Sequence, residues 1–240
     1  MSAHTLTQDQ AEIPLSWLGD AERKAKTLEF YDGHIAADTL TRGCYAGNNG
    51  SEFRGCHIGC VLHDMAGLDA ATIKSMSEEA RLGWVERVIG QPAWLTTLTE
   101  QFFECLPVPR NQEVSRAILA TTLVGVDLTP VRHGFLIWVL TDPQHGSRQY
   151  GDGAGKAATD AVAALLRRAL AGDPPTPAEW MEVRVAARAT AEDAWDARDA
   201  AWDAAVAAAE STRAAAWAAG DAAMEAQAAA LIRLLKEVQT

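Results

Sequence analysis

Hydrophobic residues recur at helical spacing along most of the chain, and short runs rich in glycine, proline and asparagine separate them. Apolar side chains three and four positions apart share one face of a helix, so each run predicts an amphipathic helix with a buried side. Start and stop residues at the ends of several runs, such as the start signal Gly19-Asp20 in the first run, support this assignment. The predicted helical segments are Leu15–Leu40, a helix restarting near Gly55, one entered from the turn Gly67–Ile73, Ser77–Ile89, Pro92–Phe103, Gln112–Leu123, Leu128–Leu140 and Ala157–Leu170.

Loops are predicted where this pattern lapses, most clearly at Gly43–Gly50 and Gly146–Gly155. The run Leu128–Leu140 is ambiguous, because it is also rich in β-forming residues. Periodicity over so few positions does not separate a helix from a buried strand. The helical segments on either side favour a helix there.

The C-terminal quarter opens on a strong helix start at Thr176–Glu179. The threonine can cap the helix, the proline suits its first position, and the glutamate can complete a capping box. The chain that follows is rich in alanine, and one helix from Pro177 to Val238 would extend roughly 90 Å. We therefore expect a break, at Glu210–Thr212 or at Gly220–Asp221, that produces a helical hairpin.

Tryptophans form a second pattern in this tail. Trp195 and Trp202 are seven residues apart and so share a helical face, and Trp180 and Trp217 lie close to that face if the helix is continuous. Packing inside the hairpin is the favoured interpretation. An exposed aromatic surface that anchors a partner is the alternative.

Together these patterns predict an all-α protein, a multi-helix bundle with a long Ala-rich C-terminal helical hairpin. The loop after Gly172 divides the chain into a helical N-terminal portion, residues 1–172, and an Ala/Trp-rich hairpin, residues 173–240. We expect the two parts to pack as one folding unit.

Composition and charge narrow the classes of function. The formal net charge of −11 argues against direct nucleic-acid binding, which needs clustered lysine and arginine. An acidic helical surface suits a basic protein partner, although a solvated acidic face is the plainer interpretation. The apolar runs are too short to span a membrane, and Met1–Glu12 lacks the features of a signal peptide. We therefore expect a cytoplasmic protein with reduced cysteines.

The densest group of chemically capable residues lies between Arg54 and Asp64. If the helix begins at Cys56, then Cys56, Cys60 and His63 fall at positions i, i+4 and i+7 of one face. Thiol and imidazole groups suit zinc, so these three residues are the predicted metal ligands. A fourth ligand would be Cys44, His34 or water.

A second interpretation makes Cys56 a nucleophile. A cysteine at a helix N-terminus meets the positive end of the helix dipole, which favours its thiolate. His34 and Asp38 are four residues apart and could bring an imidazole and a carboxylate toward Cys56 as a catalytic group. The plainer interpretation is that Cys56 and Cys60 are small buried residues and that Gly55 and Gly59 allow close helix packing.

Two glutamates one helical turn apart, Glu100 and Glu104, form a further candidate pair. Such a pair could hold a metal ion or act as an acid–base pair. A solvated helix face is the commoner meaning of this spacing.

Four segments resemble a group of uncharacterised bacterial and phage proteins: His34–Asp38, Arg54–Cys60, Phe102–Pro107 and Val124–Leu128. Those proteins also carry Gly-Cys-x-x-Gly-Cys followed by an Ala-rich tail, and the tail from Ala194 to Leu235 is similar to that of proteins described as immunity proteins. The resemblance implies a helical fold and a mobile-element or conflict context.

These observations lead to two functional hypotheses. The first is a non-enzymatic protein-binding factor of immunity or phage anti-defence type, an inhibitor whose acidic helical surface neutralises a protein partner. It requires no cofactor and leaves a homo-oligomer open. The alternative is a thiol or zinc-dependent enzyme centred on Cys56.

Overall fold

Helices form where the apolar spacing predicts them. The computed structural model describes residues 15–151, 153–191 and 221–238, and these form an all-α multi-helix bundle with one two-stranded sheet. The helices are α1 (Ala21–Ala36), α2 (His57–Ala66), α3 (Ala70–Ser75), α4 (Glu78–Ile89), α5 (Ala93–Cys105), α6 (Arg110–Thr121), α7 (Thr129–Thr141), α8 (Gly153–Leu170), α9 (Pro177–Ala191) and α10 (Asp221–Glu237).

Polar side chains cap several of these helices at the predicted positions. Asp20 accepts hydrogen bonds from the N–H groups of Glu22 and Arg23, at 2.9 and 3.1 Å, and so caps α1. The predicted capping box is present at α9. Thr176 Oγ1 accepts from the Glu179 N–H at 3.2 Å, and the Glu179 carboxylate accepts from the Thr176 N–H at 2.7 Å.

A short β-hairpin occupies part of the segment that the sequence predicts as a loop. Strand β1 (Gly47–Asn49) pairs antiparallel with β2 (Glu52–Arg54), and the turn between them has φ of 64° at Gly50. The predicted turn chemistry is therefore present, but strands of three residues are too short to leave a periodic signal. Strand β2 leads directly into Gly55, which forms an isolated parallel bridge with Leu40.

The ambiguous run is a helix, α7, as its neighbours favoured. Part of the predicted loop Gly146–Gly155 is helical instead. It contains a 3-10 turn at Ser147–Tyr150, and α8 already begins at Gly153, before the predicted start at Ala157.

Adjacent phenylalanines on α5 face two different parts of the core. Phe103 packs with buried residues of the region formed by α1 to α4 and the hairpin. Phe102 packs instead with buried residues of α6, α7 and α10. Helix α5 therefore runs between the two halves of the core, and this position brings its remaining face against the start of α2.

The C-terminal residues join this core through α10. Leu231 and Leu235 are buried among residues of α5, α6 and α7, and the Glu225 carboxylate lies 2.8 Å from Nε of Arg110 on α6. Trp180 of α9 packs against a small cluster between α7 and α8. None of the described helices combines the length and apolar character needed to cross a membrane.

Some predictions for the tail fall outside the described residues. These are the break at Glu210–Thr212 or at Gly220, and the positions of Trp195, Trp202 and Trp217.

Candidate metal centre at Cys56, Glu100 and Glu104

Cys56 is the N-cap of α2 rather than a residue of the helix. Its backbone is extended, with φ of −74° and ψ of −177°, and the helix begins at His57. Cys56 therefore does not share the helical phase of Cys60 and His63, on which the i, i+4, i+7 prediction depends. The Cys56 side chain lies instead at the N-terminus of α2, where it makes no capping hydrogen bond and its thiol faces the Tyr45 carbonyl at 4.0 Å.

The two glycines of the Gly-Cys-x-x-Gly-Cys segment hold this helix start against the Tyr45 backbone. A Cβ atom on Gly59 would lie 1.5 Å from the Tyr45 carbonyl oxygen, and one on Gly55 would lie 2.6 Å from it. Both distances are far inside van der Waals contact. The Cys56 N–H also donates to the Cys44 carbonyl at 3.0 Å, so this close approach determines where Cys56 lies.

Helix α5 presents Glu100 and Glu104 to the same place. The Ile58 N–H donates to Glu100 Oε2 at 3.3 Å, and the Gly43 N–H donates to Glu104 Oε2 at 2.7 Å. The Cys56 sulfur and one oxygen of each carboxylate all lie within 4.8 Å of one another. Cys56 is 1% exposed, whereas both glutamates are partly buried. A buried thiol therefore lies close to two carboxylates that are partly exposed to solvent.

Burial determines the electrostatics of this cluster. Desolvation raises the pKa of the Cys56 thiol, and the charge of Glu100 and a hydrogen bond to it raise it further. Burial likewise raises the pKa of Glu100 to about 7, and the charge of Glu104 adds to the shift. The bonds from Cys56 and the Ile58 N–H, with the positive charge of Arg81, oppose that increase. The thiol therefore remains protonated, and it donates a long hydrogen bond to the Tyr45 carbonyl, with 4.0 Å between sulfur and oxygen.

Two buried polar side chains near the cluster lack hydrogen-bond partners among the described residues. One is the Tyr31 hydroxyl, and the nearby Ser115 side chain lowers its pKa without reversing the effect of burial. Burial raises the pKa of Tyr31, and the electrostatic influence of Cys60, Glu100 and Cys56 adds to that shift, so the phenol remains a donor. The other is His57, whose ring packs edge-on against Tyr31 at 5.4 Å. Burial lowers the pKa of His57 to about 3, so its imidazole is neutral.

The structure does not bring the predicted ligands Cys60 and His63 to Cys56. Cys60 is buried, and its thiol donates to the Gly55 carbonyl at 3.6 Å. His63 Nδ1 lies 2.9 Å from the Leu68 carbonyl, and its ring stacks on Phe53 at 3.9 Å. Within the described part of the chain, Cys56, Glu100 and Glu104 are the group of three metal-ligating side chains that converges.

The predicted catalytic partners lie at the end of α1 and contact other groups. Asp38 follows the helix in a left-handed conformation, with φ of 54°, and its carboxylate faces Arg54 at 3.9 Å. It therefore leaves the helical phase that would place it beside His34. The His34 ring contacts Asp64 through Nε2 at 2.7 Å and Thr39 through Nδ1 at 2.6 Å.

The i,i+4 spacing of Glu100 and Glu104 indicated a carboxylate pair, but not that this pair meets Cys56. Because α2 and α5 are far apart along the chain, no local pattern indicates that Cys56 lies near these glutamates. The same holds for the position of Tyr31 near the cluster.

Comparison with known proteins finds no matching family model, no matching curated protein and no matching solved structure.

Proposed function

We propose that this protein binds one divalent metal ion of the zinc class through Cys56, Glu100 and Glu104, in a centre with a coordination position left for a small-molecule ligand. The convergence of these three side chains within 4.8 Å carries the proposal. This proposal keeps the Cys56-centred alternative of the sequence analysis and changes the ligands that accompany Cys56.

The donor set favours a borderline metal ion. A thiolate is a poor ligand for Mg²⁺ or Ca²⁺, which select oxygen, whereas Zn²⁺ accepts sulfur and carboxylate together. Structural zinc sites usually have four protein ligands, whereas catalytic sites have three and keep an open position. Three converging protein ligands therefore support a centre of the catalytic type.

The raised pKa values in the cluster are also consistent with a bound cation. The thiol and the buried glutamate both resist ionisation, because their negative charges would lie close together in a poorly solvated place. A divalent ion would replace those protons and remove this repulsion. The N–H groups of Ile58 and Gly43 already hold carboxylate oxygens of the two glutamates, so the ligands are partly oriented.

Neighbouring residues support chemistry at such a centre. A bound zinc ion lowers the pKa of coordinated water and polarises a carbonyl oxygen. The protonated Tyr31 hydroxyl is a buried donor without a partner among the described residues, and it suits an oxygen of an added ligand. The Arg81 guanidinium lies 3.8 Å from the Tyr45 ring centroid and supplies positive charge near Glu100. These features favour hydrolysis or another reaction at a polarised oxygen.

Zinc affinity of the metal-stripped, reduced full-length protein tests this proposal. Competition with a chromophoric chelator should show one site per chain. Cys56→Ser, Glu100→Gln and Glu104→Gln should each weaken binding by more than the roughly 10- to 100-fold typical of outer-shell partners. With Co²⁺ as the probe, a sulfur-to-metal charge-transfer absorption should be present in the wild type and absent in Cys56→Ser.

Cys60→Ala and His63→Ala are the matched controls, because each removes from α2 a side chain of a type that can bind zinc but that lies outside the proposed centre. Both should keep the affinity and the absorption. Loss of binding in these two variants, with retention in the glutamate variants, would support the ligands predicted from spacing instead. A wild-type protein that binds neither ion would contradict both sets.

A protein partner is the second candidate function, and the net charge of −11 is the observation that favours it. An inhibitor of immunity or anti-defence type would bind a basic surface through acidic helices. Charge reversal of exposed acidic residues in the C-terminal helices should then abolish complex formation, and Cys56→Ala should leave it intact. Complex formation that survives charge reversal but is lost in Cys56→Ala would favour the metal centre.

A further inference from the structure

A second group of reactive side chains lies where α1 ends, and it shares no residue with the Cys56 centre. His34 Nε2 is 2.7 Å from Asp64 Oδ2, and His34 Nδ1 is 2.6 Å from Thr39 Oγ1. The side chains of His34 and Asp64 are 12% and 18% exposed, and Thr39 is 3% exposed. Each ring nitrogen of His34 therefore has a short contact with a side chain, and this group is largely shielded from solvent.

These partners define the proton positions. An ionised Asp64 only accepts hydrogen bonds, so His34 Nε2 carries the proton and donates it to Asp64. The lone pair of Nδ1 then accepts from the Thr39 hydroxyl. The other acceptor within reach of that hydroxyl, the His34 carbonyl, is more distant at 3.3 Å. The hydroxyl proton therefore points to an imidazole that a carboxylate orients, which is the arrangement of an activated hydroxyl nucleophile.

One N–H of Arg54, which contacts the residue before Thr39, lacks a partner among the described residues. The Arg54 guanidinium donates to the carbonyl of Asp38, the residue before Thr39. Arg54 Nε is buried and has no hydrogen-bond partner among the described residues. An unsatisfied buried N–H is costly, so an oxygen atom from a ligand would stabilise it.

Backbone hydrogen bonds hold these parts together. The Gly55 N–H donates to the Thr39 carbonyl at 3.2 Å, and the Thr41 N–H donates to the Gly55 carbonyl at 2.8 Å. The residue after Arg54 is therefore bound directly to the segment that carries Thr39. This pairing fixes the backbone next to Arg54 relative to the backbone of Thr39, and such fixed geometry is what a site for catalysis needs.

We propose that Thr39, His34 and Asp64 form a nucleophile, base and carboxylate relay that takes an acyl group from a small ester, with Arg54 stabilising the carbonyl oxygen. The Arg54 side chain is 36% exposed, so it gives this otherwise buried group an edge open to solvent. The carbonyl oxygen gains negative charge in the transition state, and a fixed cationic donor stabilises that charge.

The reaction consists of two balanced transfers. Thr39 Oγ1 attacks the carbonyl carbon, its proton passes to His34 Nδ1, and the ester C–O bond breaks as that proton moves to the leaving alcohol. Water then attacks the Thr39 ester and gives its proton to Nδ1. The Thr39 oxygen leaves, recovers the proton, and the carboxylic acid is released. Asp64 stays ionised and stabilises the imidazolium formed in each step.

Acetylation by p-nitrophenyl acetate tests this relay on the full-length protein, with each acetyl group located by peptide mass spectrometry. Thr39 should be acetylated at least about tenfold faster than Thr41, an internal control that is more exposed and whose hydroxyl donates to the Thr39 carbonyl at 3.4 Å. Thr39→Ser should retain a reactive hydroxyl. Asp64→Asn and His34→Ala should slow acetylation of Thr39 by about 100-fold or more.

Equal acetylation of Thr39 and Thr41 in the wild type would overturn the proposal, whatever the variants do. Rates at Thr39 that are unchanged in a folded Asp64→Asn variant would also overturn it, because a mere capping hydroxyl would not depend on that carboxylate. Far-UV circular dichroism establishes that each variant is folded. Metal-free protein is used throughout, so the result is independent of the Cys56 centre.

Discussion

Two glycines inside helices show how differently a single methyl group can act. Gly59 lies against the Tyr45 carbonyl, whereas a Cβ on Gly33 of α1 would meet no atom within 4 Å. Gly59→Ala should therefore destabilise the protein by about 3 kcal/mol or more, since backbone must move. Gly33→Ala should stabilise it by about 0.5–1 kcal/mol, because alanine loses less entropy in a helix.

Urea unfolding of the two variants measures this difference. An equal effect of both substitutions would contradict the tight contact at Gly59. Zinc affinity provides a second readout, because Gly59→Ala displaces the start of α2 and should weaken binding, whereas Gly33→Ala should not.

Glu100 should make stability depend on pH. Its folded pKa of about 7 lies above the ordinary value of 4.5, so the folded state binds a proton more tightly than the unfolded state does. The stabilisation is complete below pH 4.5 and is lost as pH rises through 7. The expected loss is on the order of 3 kcal/mol.

The measurement is the free energy of unfolding of metal-free wild type minus that of Glu100→Gln, as a function of pH. His57 acts in the opposite direction, because its lowered pKa removes stability as pH falls from 6.5 toward 3, and the subtraction cancels it. This difference should fall as pH rises.

At the scale of elements, the N-cap of α1 offers a separable test. Asp20 satisfies two N–H groups of the first turn, so Asp20→Ala should cost about 1 kcal/mol, whereas Asp20→Asn keeps an acceptor and should cost less. Chemical denaturation measures both variants. An asparagine variant as unstable as the alanine variant would show that charge, rather than the hydrogen bonds, stabilises this helix start.

At the scale of the whole molecule, α10 should be part of the main cooperative unit. Leu231 is fully buried between α5, α6 and α7. Leu231→Ala should destabilise the entire protein by about 2–5 kcal/mol in one transition. Lys236→Ala, exposed on the same helix, is the control and should have little effect.

Circular dichroism and the reactivity of the buried cysteines should report the same unfolding midpoint in these variants. If the cysteines of α2 stayed protected while helical signal was lost, α10 would unfold separately. That result would contradict the prediction that residues 1–172 and 173–240 pack as one unit.

The sequence by itself determined the helical elements, because local signals suffice for them. Apolar spacing of three and four residues marked α4 to α8, and cap residues such as Asp20 and Thr176 marked helix starts. Local patterns also singled out Cys56, Glu100 and His34 as chemically capable. They paired each of these residues only with residues nearby along the chain. The short hairpin was missed because three-residue strands leave no period.

Only the tertiary structure decided which of these side chains meet. The Cys56 sulfur lies within 4.8 Å of carboxylate oxygens that are more than forty residues away on α5, and His34 contacts Asp64 on α2 rather than nearby Asp38. Both outcomes depend on backbone details at helix ends: Cys56 is extended before α2, and Asp38 is left-handed after α1. Helical periodicity applies inside a helix and fails at its ends. There, close packing such as that of Gly59 on Tyr45 sets the positions of the side chains.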